Sequence, residues 1–154
     1  MASSKKMNRV DVVALIIRKN SEILLEKRKK DRRVDPGKTV IPGGHVEDPE
    51  SLEQACAREL KEELDLECSN FRFVASMPHD TISEKQIVHY YLCENWKGVP
   101  KNREADAIFW TSVENLDCLD FAIDKRAVRQ SLGQTNQCDR AVSTLDQSRV
   151  EGED

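Results

Sequence analysis

Residues 43–66, GGHVEDPESLEQACARELKEELDL, join a pair of glycines to a strongly acidic segment. Ser51 is a preferred helix N-cap residue, and Gln54, three positions later, completes a capping box. Apolar residues then recur at four-residue steps, at Leu52, Cys56, Leu60 and Leu64. The stretch therefore predicts a glycine turn followed by a helix that begins near Ser51 and buries one apolar stripe.

Three glutamates of this helix, Glu59, Glu62 and Glu63, fall on one side of it. At about 100° per residue they occupy roughly one third of the circumference, beside the apolar stripe. Carboxylates at these spacings repel one another, and the repulsion grows when they are desolvated. Arg58 can reach Glu62 one turn on, but a single guanidinium leaves a surplus of negative charge. Because hard divalent cations prefer oxygen ligands, the pattern predicts a Mg²⁺ site, with Mn²⁺ as a substitute.

A solvated surface helix is the alternative explanation for such a pattern. Glu-Glu pairs beside Arg and Lys are common where a helix simply faces water. A helix that docks a basic partner would also explain the glutamates. Neither alternative accounts for the preceding Pro42-Gly43-Gly44 turn together with Glu50, and these features favour a metal site. Glycines at this turn let the backbone approach an ion or a ligand closely, so Gly43 and Gly44 are candidate binding positions.

The same residues resemble a known family signature. With U an aliphatic residue, the Nudix hydrolase pattern G-x5-E-x7-R-E-U-x-E-E-x-G-U aligns with Gly44 through Leu66 and agrees at eight of its nine specified positions. The departure is Asp65, which stands where the family has glycine. A residue there adopts the left-handed conformation, which Asp tolerates better than most residues. We therefore expect an altered helix end and an intact carboxylate face.

The expected fold is α/β, with a mixed β-sheet between helices in an α/β/α sandwich. The order of elements, which is strands, glycine turn, helix, strands and a last helix, suggests this arrangement, and the Nudix resemblance implies the same fold. We expect a hairpin over residues 10–26, strands over residues 71–77 and 87–94 with a turn at 78–80, and a final helix over residues 123–132 that stops at Gly133. The predicted divisions are a loose arm at 1–7, the domain at 8–132 and a disordered tail at 133–154.

The carboxylates have distinct expected roles. Glu59 and Glu63, one helical turn apart, are the expected main metal ligands, and Glu62 is the next candidate for ligand or base. Arg58 is expected to orient a glutamate, and Glu50 is expected to lie in the outer shell of the metal site. The carbonyl of Gly44 is expected to coordinate the cation, and the family resemblance supports this last role. Glu104 lies six residues before Trp110, a spacing that resembles MutT-type Nudix enzymes, in which a loop glutamate joins the metal site. An exposed loop carboxylate is an equal alternative, and Asp106 is the rival residue.

Residues 27–38 concentrate positive charge in a chain whose net charge is −4. Most of these side chains are expected to be solvated. Arg28 is the best candidate for a phosphate contact because it follows the second strand and a guanidinium pairs well with phosphate oxygens. The resemblance to MutT-type enzymes implies a nucleotide contact at the same position.

The composition narrows the possible partners and setting. At 154 residues the chain suits one domain, and its net negative charge argues against binding a nucleic acid polymer. The cysteines are odd in number and lack metal-binding spacing, which favours a reduced cytoplasmic setting. No apolar run is long enough for a signal peptide or a membrane span. We expect a small nucleotide ligand, no membrane contact and a monomer or homodimer.

The reaction expected from these features is Mg²⁺-dependent hydrolysis of a nucleoside diphosphate linked to a group X. The Arg28 and Glu104 spacings look most like enzymes that convert nucleoside triphosphates, including oxidised ones, to monophosphates and pyrophosphate. Alternatives are a pyrophosphatase for ADP-ribose, nucleotide sugars or dinucleoside polyphosphates, and a nucleotide sensor without catalysis. Base selection is expected from Tyr90, Tyr91, Phe121 and Asp124.

Overall fold

The computed structural model describes the backbone of residues 8–145 and the side chains of residues 8–133. The predicted arm at residues 1–7 lies outside the described residues, as do residues 146–154 at the end of the predicted tail. The described region forms, in order, β1 (Val10–Lys19), β2 (Glu22–Lys27), β3 (Thr39–Val40), β4 (Gly43–His45), α1 (Leu52–Leu64), β5 (Glu67–Cys68), β6 (Arg72–Asp80), β7 (Lys85–Cys93), β8 (Trp96–Lys97), β9 (Ala107–Ser112) and α2 (Ala122–Leu145).

Strand β1 lies at the centre of a mixed sheet. One edge of β1 pairs in parallel with β7, and the other edge pairs antiparallel with β4 and then with β2. Strand β6 pairs with β7, whereas β3 and β9 pair with β2. The predicted β1–β2 hairpin is confirmed, with Asn20 in the left-handed conformation that a tight turn requires. A separate short ladder joins β5 to β8.

The sheet separates two apolar cores because successive residues of a strand point to opposite faces. Along β1, Val13, Leu15 and Ile17 pack under α1, whereas Ala14 and Ile16 face the core that includes Ala127 and Val128 of α2. Each fully buried Leu or Ile contributes roughly 1.5–3 kcal/mol relative to an exposed one. The predicted α/β/α sandwich is therefore confirmed.

Both ends of α1 follow the sequence prediction. Ser51 caps the first turn through its side chain while the Gln54 side chain accepts a hydrogen bond from the Ser51 N–H, which is the predicted capping box. Asp65 ends the helix in the left-handed conformation at φ 58°. Its carboxylate pairs with Lys61 and Lys101, each at 3.2 Å, and hydrogen bonds from these two lysines lower its pKa.

Two predicted element ends are wrong. The predicted turn at residues 78–80 is part of β6, which continues to Asp80. Pro78 is tolerated there because β6 lies at the edge of the sheet, where a missing N–H costs no ladder hydrogen bond. The predicted stop at Gly133 is also wrong, since α2 continues through it to Leu145. The domain boundary at residue 132 stays a prediction.

Across residues 8–145, no helix has both the length and the apolar character needed to cross a bilayer.

Candidate active site

One open cavity of about 240 Å³ is lined by the carboxylate face of α1, by strands β1 and β4 and by the start of α2. This volume is close to the lower end of ligand pockets, about 300 Å³, and suits a small molecule better than a polymer strand. The cavity is lined by most of the predicted site residues, namely Arg28, Gly43, Gly44, Glu59, Glu62, Glu63, Tyr90, Glu104, Phe121 and Asp124. The fold therefore brings together residues from six separate parts of the sequence.

The three glutamates of α1 differ in their exposure to water. Glu59 and Glu63 are 8% and 5% exposed, whereas the side chain of Glu62 is half exposed. Burial raises the pKa of Glu63 well above its usual value, and the neighbouring Glu26 raises it further. Burial also raises the pKa of Glu59, although Arg58 opposes this shift. Negative charge at these two positions is therefore costly unless a cation lies close to both.

Arg58 connects the carboxylates of α1 to the loop before the helix. Its guanidinium donates hydrogen bonds to Glu50 at 2.6 and 3.0 Å, to Glu59 at 2.9 Å and to Glu62 at 3.2 Å. It also donates to the carbonyl of His45 at 2.9 Å. The bond from Arg58 is the largest cause of the lowered pKa of Glu50. Glu50 thus holds Arg58 from outside the cavity, and Arg58 in turn fixes two of the cavity carboxylates.

The two glycines before α1 are required for different reasons. A Cβ at Gly43 would lie 1.9 Å from the Val13 carbonyl oxygen, so this glycine permits the close pairing of β4 with β1. A Cβ at Gly44 would lie 2.3 Å from the carboxyl carbon of Glu59. Strand β4 therefore brings the backbone at Gly44 directly against a cavity carboxylate, as expected where backbone approaches a bound ion.

Two basic residues, Arg28 and Arg32, also line the cavity. Arg28 donates from Nε to the Val34 carbonyl at 2.8 Å, and its side chain is only 14% exposed. Arg32 lies 3.9 Å from Glu104, which places that loop glutamate on the cavity wall. Asp106, the rival of Glu104, is not among the lining residues.

The end of the cavity near α2 carries a second group of polar side chains. Tyr90 is fully buried and donates its hydroxyl hydrogen to Asp124, whose other oxygen accepts the Ile41 N–H at 3.4 Å. Burial raises the pKa of Asp124 to about 6, and the bond from Tyr90 opposes the shift. His79 contacts Asp35 at 2.9 Å, and its ring meets that of Phe121 edge-on at 4.6 Å.

Tyr91 is not at this site, and its predicted role in base selection is wrong. It lies on the opposite face of β7 from Tyr90, in the core beneath α1. Trp110 is partly buried against the core beneath α1, and its ring stacks on that of Trp96 with 5.9 Å between the ring centroids. Sequence reasoning also missed Glu26, a glutamate of β2 that is 4% exposed. The signal that could have identified it is its position directly after the apolar run Ile23–Leu25, where the alternation of a strand puts it on the same face as Leu24.

The residues present fit a divalent cation. The Oε1 atom of Glu63 is buried and has no hydrogen-bond partner within the part of the chain that the structure describes. A buried carboxylate oxygen without a partner is destabilising, and a cation is the partner its charge favours. Within the same described region, no three acidic, histidine or cysteine side chains already converge as a complete ligand set. Arg58 accounts for part of this, because it engages oxygens of both Glu59 and Glu62.

Comparison with known proteins agrees with this geometry. The family model described as NUDIX domain matches residues 7–132. The chain is 30% identical to the 8-oxo-dGTP diphosphatase of Escherichia coli strain K12, over 75% of this chain and 89% of the relative. It is 33% identical to the CTP pyrophosphohydrolase of the same strain, over 70% of this chain and 79% of that relative.

A solved structure of a NUDIX protein has a similar fold. The MutT NUDIX hydrolase from Burkholderia pseudomallei superposes with a TM-score of 0.71 at 25% identity, over 79% of this chain and 97% of the other. Its fold, the family match and the carboxylate face of α1 agree with one another. The chain therefore belongs to the Nudix family and is a hydrolase that acts on phosphoanhydrides.

Proposed function

We propose that the protein hydrolyses a nucleoside triphosphate to a nucleoside monophosphate and pyrophosphate, with Mg²⁺ as cofactor and Mn²⁺ as a substitute. The observation that carries this proposal is the partnerless buried oxygen of Glu63, which shares a cavity with Glu59 and Arg28. The names of the two curated relatives, an 8-oxo-dGTP diphosphatase and a CTP pyrophosphohydrolase, support the triphosphate class. Oxidised nucleotides are included in the proposal.

The residues at the phosphate end of the cavity have different proposed roles. A phosphoanhydride resists water because negative oxygens surround the phosphorus, and a divalent cation, when bound, neutralises those oxygens and activates water. Glu59, Glu63 and the Gly44 carbonyl are the proposed holders of the cation, with Glu104 completing the set. Glu62 is the remaining candidate for ligand or base, since its half-exposed carboxylate can reach water. Arg58 orients Glu59 and Glu62, as its hydrogen bonds indicate.

The other end of the cavity suits a nucleobase. Tyr90 directs its hydroxyl at Asp124 and so fixes the orientation of that carboxylate. Because the pKa of Asp124 is about 6, the group is mostly ionised at neutral pH and then accepts hydrogen bonds. A base edge that presents N–H donors is therefore favoured. Phe121 and the adjoining apolar wall supply surface for the ring.

The proposed setting follows from the same features. A small nucleotide is the expected ligand, without a nucleic acid polymer, and the chain is expected to act as a monomer or homodimer. The four cysteines whose side chains are described are free thiols, Cys56, Cys68, Cys93 and Cys118. Free thiols suit a reducing compartment, which supports the proposed cytoplasmic location.

A substrate panel with identification of both products tests the proposal. We expect Mg²⁺-dependent release of pyrophosphate from one or more nucleoside triphosphates, including 8-oxo-dGTP, and loss of that activity in EDTA. Preferential cleavage of ADP-ribose, a nucleotide sugar or a dinucleoside polyphosphate would show that the substrate belongs to one of those classes and not to the nucleoside triphosphates. Tight nucleotide binding by calorimetry without any turnover in Mg²⁺ would favour a sensor instead.

Replacement of Arg28 by alanine is expected to raise KM about ten-fold with a smaller change in kcat. A charge-assisted hydrogen bond to phosphate contributes roughly 1.5–3 kcal/mol, and a contact made equally in the ground and transition states appears in KM. Steady-state kinetics of Arg28→Ala against Lys29→Ala, an exposed neighbour in the same basic segment, provides the measurement. An unchanged KM in Arg28→Ala would remove this residue from the proposed phosphate contacts.

A further inference from the structure

Glu26 is a buried charged residue to which the proposed function gives no role. Its backbone pairs with Val40 on one side and Ile108 on the other, within the sheet. Because side chains alternate along a strand, Glu26 shares the face of Leu24, which packs in the core beneath α1. Only 4% of Glu26 is exposed. A strand carboxylate is therefore enclosed on the face that α1 covers.

The surroundings of Glu26 are rich in other carboxylates. Glu59 and Glu104 both raise its pKa, and Glu26 itself raises the pKa of Glu63. Arg28 and Arg32 act in the opposite direction, but burial prevails and the pKa of Glu26 rises to about 7. Glu26 is thus a further carboxyl group that interacts electrostatically with those lining the cavity.

A simpler role for Glu26 would be to serve as the counterion of Arg28. The two charged groups form an ion pair at 3.6 Å, but this distance is too long for a hydrogen bond between them. Arg28 is instead fixed by the Val34 carbonyl at 2.8 Å. A counterion also does not account for the partnerless oxygen of Glu63 on the same side of the sheet. The arrangement favours a cation that several carboxylates attract together.

We propose that Glu26 is a positioning residue for the divalent cation, and that its enclosed negative charge strengthens cation binding by Glu59 and Glu63 without itself lining the cavity. This inference rests on the proposed metal-dependent function. The attraction between unlike charges decreases only slowly with distance where water is excluded, so a carboxylate behind the ligands adds to their affinity. In the absence of the cation the same charge destabilises the fold, because burial disfavours it.

The test is the binding of Mn²⁺ alone, followed by electron paramagnetic resonance and by calorimetry. Glu26→Gln keeps the side-chain volume and removes the charge, and we expect its dissociation constant for Mn²⁺ to rise roughly ten-fold. We expect the Tm of the same variant in EDTA to rise, since a buried neutral amide replaces a buried carboxylate. Glu22→Gln, an exposed residue of the same strand, is the matched control and should change neither value. Glu26→Asp should recover part of the Mn²⁺ affinity.

The outcomes separate this inference from the proposed function. Equal Mn²⁺ affinity in wild type and Glu26→Gln would overturn the inference alone, whereas a wild-type protein that binds no Mn²⁺ would overturn the proposed metal dependence as well. A fall in the EDTA Tm of Glu26→Gln would assign Glu26 a structural role as counterion and also overturn the inference. Glu26→Gln should also be tested in a protein that carries Arg28→Ala. The same loss of Mn²⁺ affinity in that double variant would assign the effect to Glu26 itself, whereas no loss of affinity there would contradict the inference.

Discussion

Turnover by the Glu63→Gln variant is expected to fall at least about 100-fold while the fold stays intact. Glutamine keeps the volume of the side chain but removes its charge and one oxygen ligand. Since Glu63 is 5% exposed and burial raises its pKa, the ionised group destabilises the folded protein as pH rises through that pKa. The neutral variant should therefore have a Tm in EDTA that equals or exceeds that of wild type, most clearly at alkaline pH.

The measurement is kcat for a nucleoside triphosphate in Mg²⁺, with thermal unfolding in EDTA at two pH values. Glu53→Gln is the matched control because Glu53 lies in the first turn of the same helix and is exposed. We expect it to retain wild-type turnover. Wild-type turnover in Glu63→Gln would show that the ligand assignment on α1 is wrong.

The Gly44→Ala variant is expected to lose activity by about the same factor, roughly 100-fold, through displacement of Glu59. The added Cβ would lie 2.3 Å from the Glu59 carboxyl carbon, which must therefore move. The displaced group is the flexible end of a side chain, so the fold can accommodate the change. Circular dichroism should remain that of wild type, and Mn²⁺ affinity should fall together with kcat.

Two other glycines serve as controls for Gly44→Ala. In Gly43→Ala the new Cβ would lie 1.9 Å from the Val13 carbonyl oxygen, which is backbone, and we expect loss of folding. In Gly133→Ala nothing lies within 4 Å of the new atom, and the helical position should gain about 0.5–1 kcal/mol of stability. Full activity in Gly44→Ala would mean that the position of the Glu59 carboxylate is not needed for the reaction.

The sequence predicted best those features that depend on near neighbours along the chain. The capping box of Ser51 and Gln54, the left-handed Asp65 and the β1–β2 hairpin were all confirmed. Each of them depends on residues that are only a few positions apart in the sequence. The carboxylate face of α1 could be predicted for the same reason, because helical geometry alone places Glu59 and Glu63 together.

Features that depend on contacts between distant parts of the chain could not be predicted from the local sequence. The side of the sheet that Tyr91 faces depends on the register of β7 against β1, which are far apart in sequence. Pro78 remains in a strand only because β6 has a free edge. Glu26 looked like an ordinary polar strand residue until α1 was placed over it. Gly133 is consistent with a helix end and also with a helix interior, and local chemistry did not decide between them.

The two ends of the cavity come from different stretches of the chain, and this has a consequence for how such a protein can change. The carboxylates stand on α1 and are fixed by Arg58, whereas Asp124 and Phe121 adjoin the start of α2 on the far side of the sheet. Mutations that reshape the second group leave the first group's contacts untouched. If the proposed roles hold, selection can diversify which molecules are recognised while conserving the proposed metal-binding carboxylates.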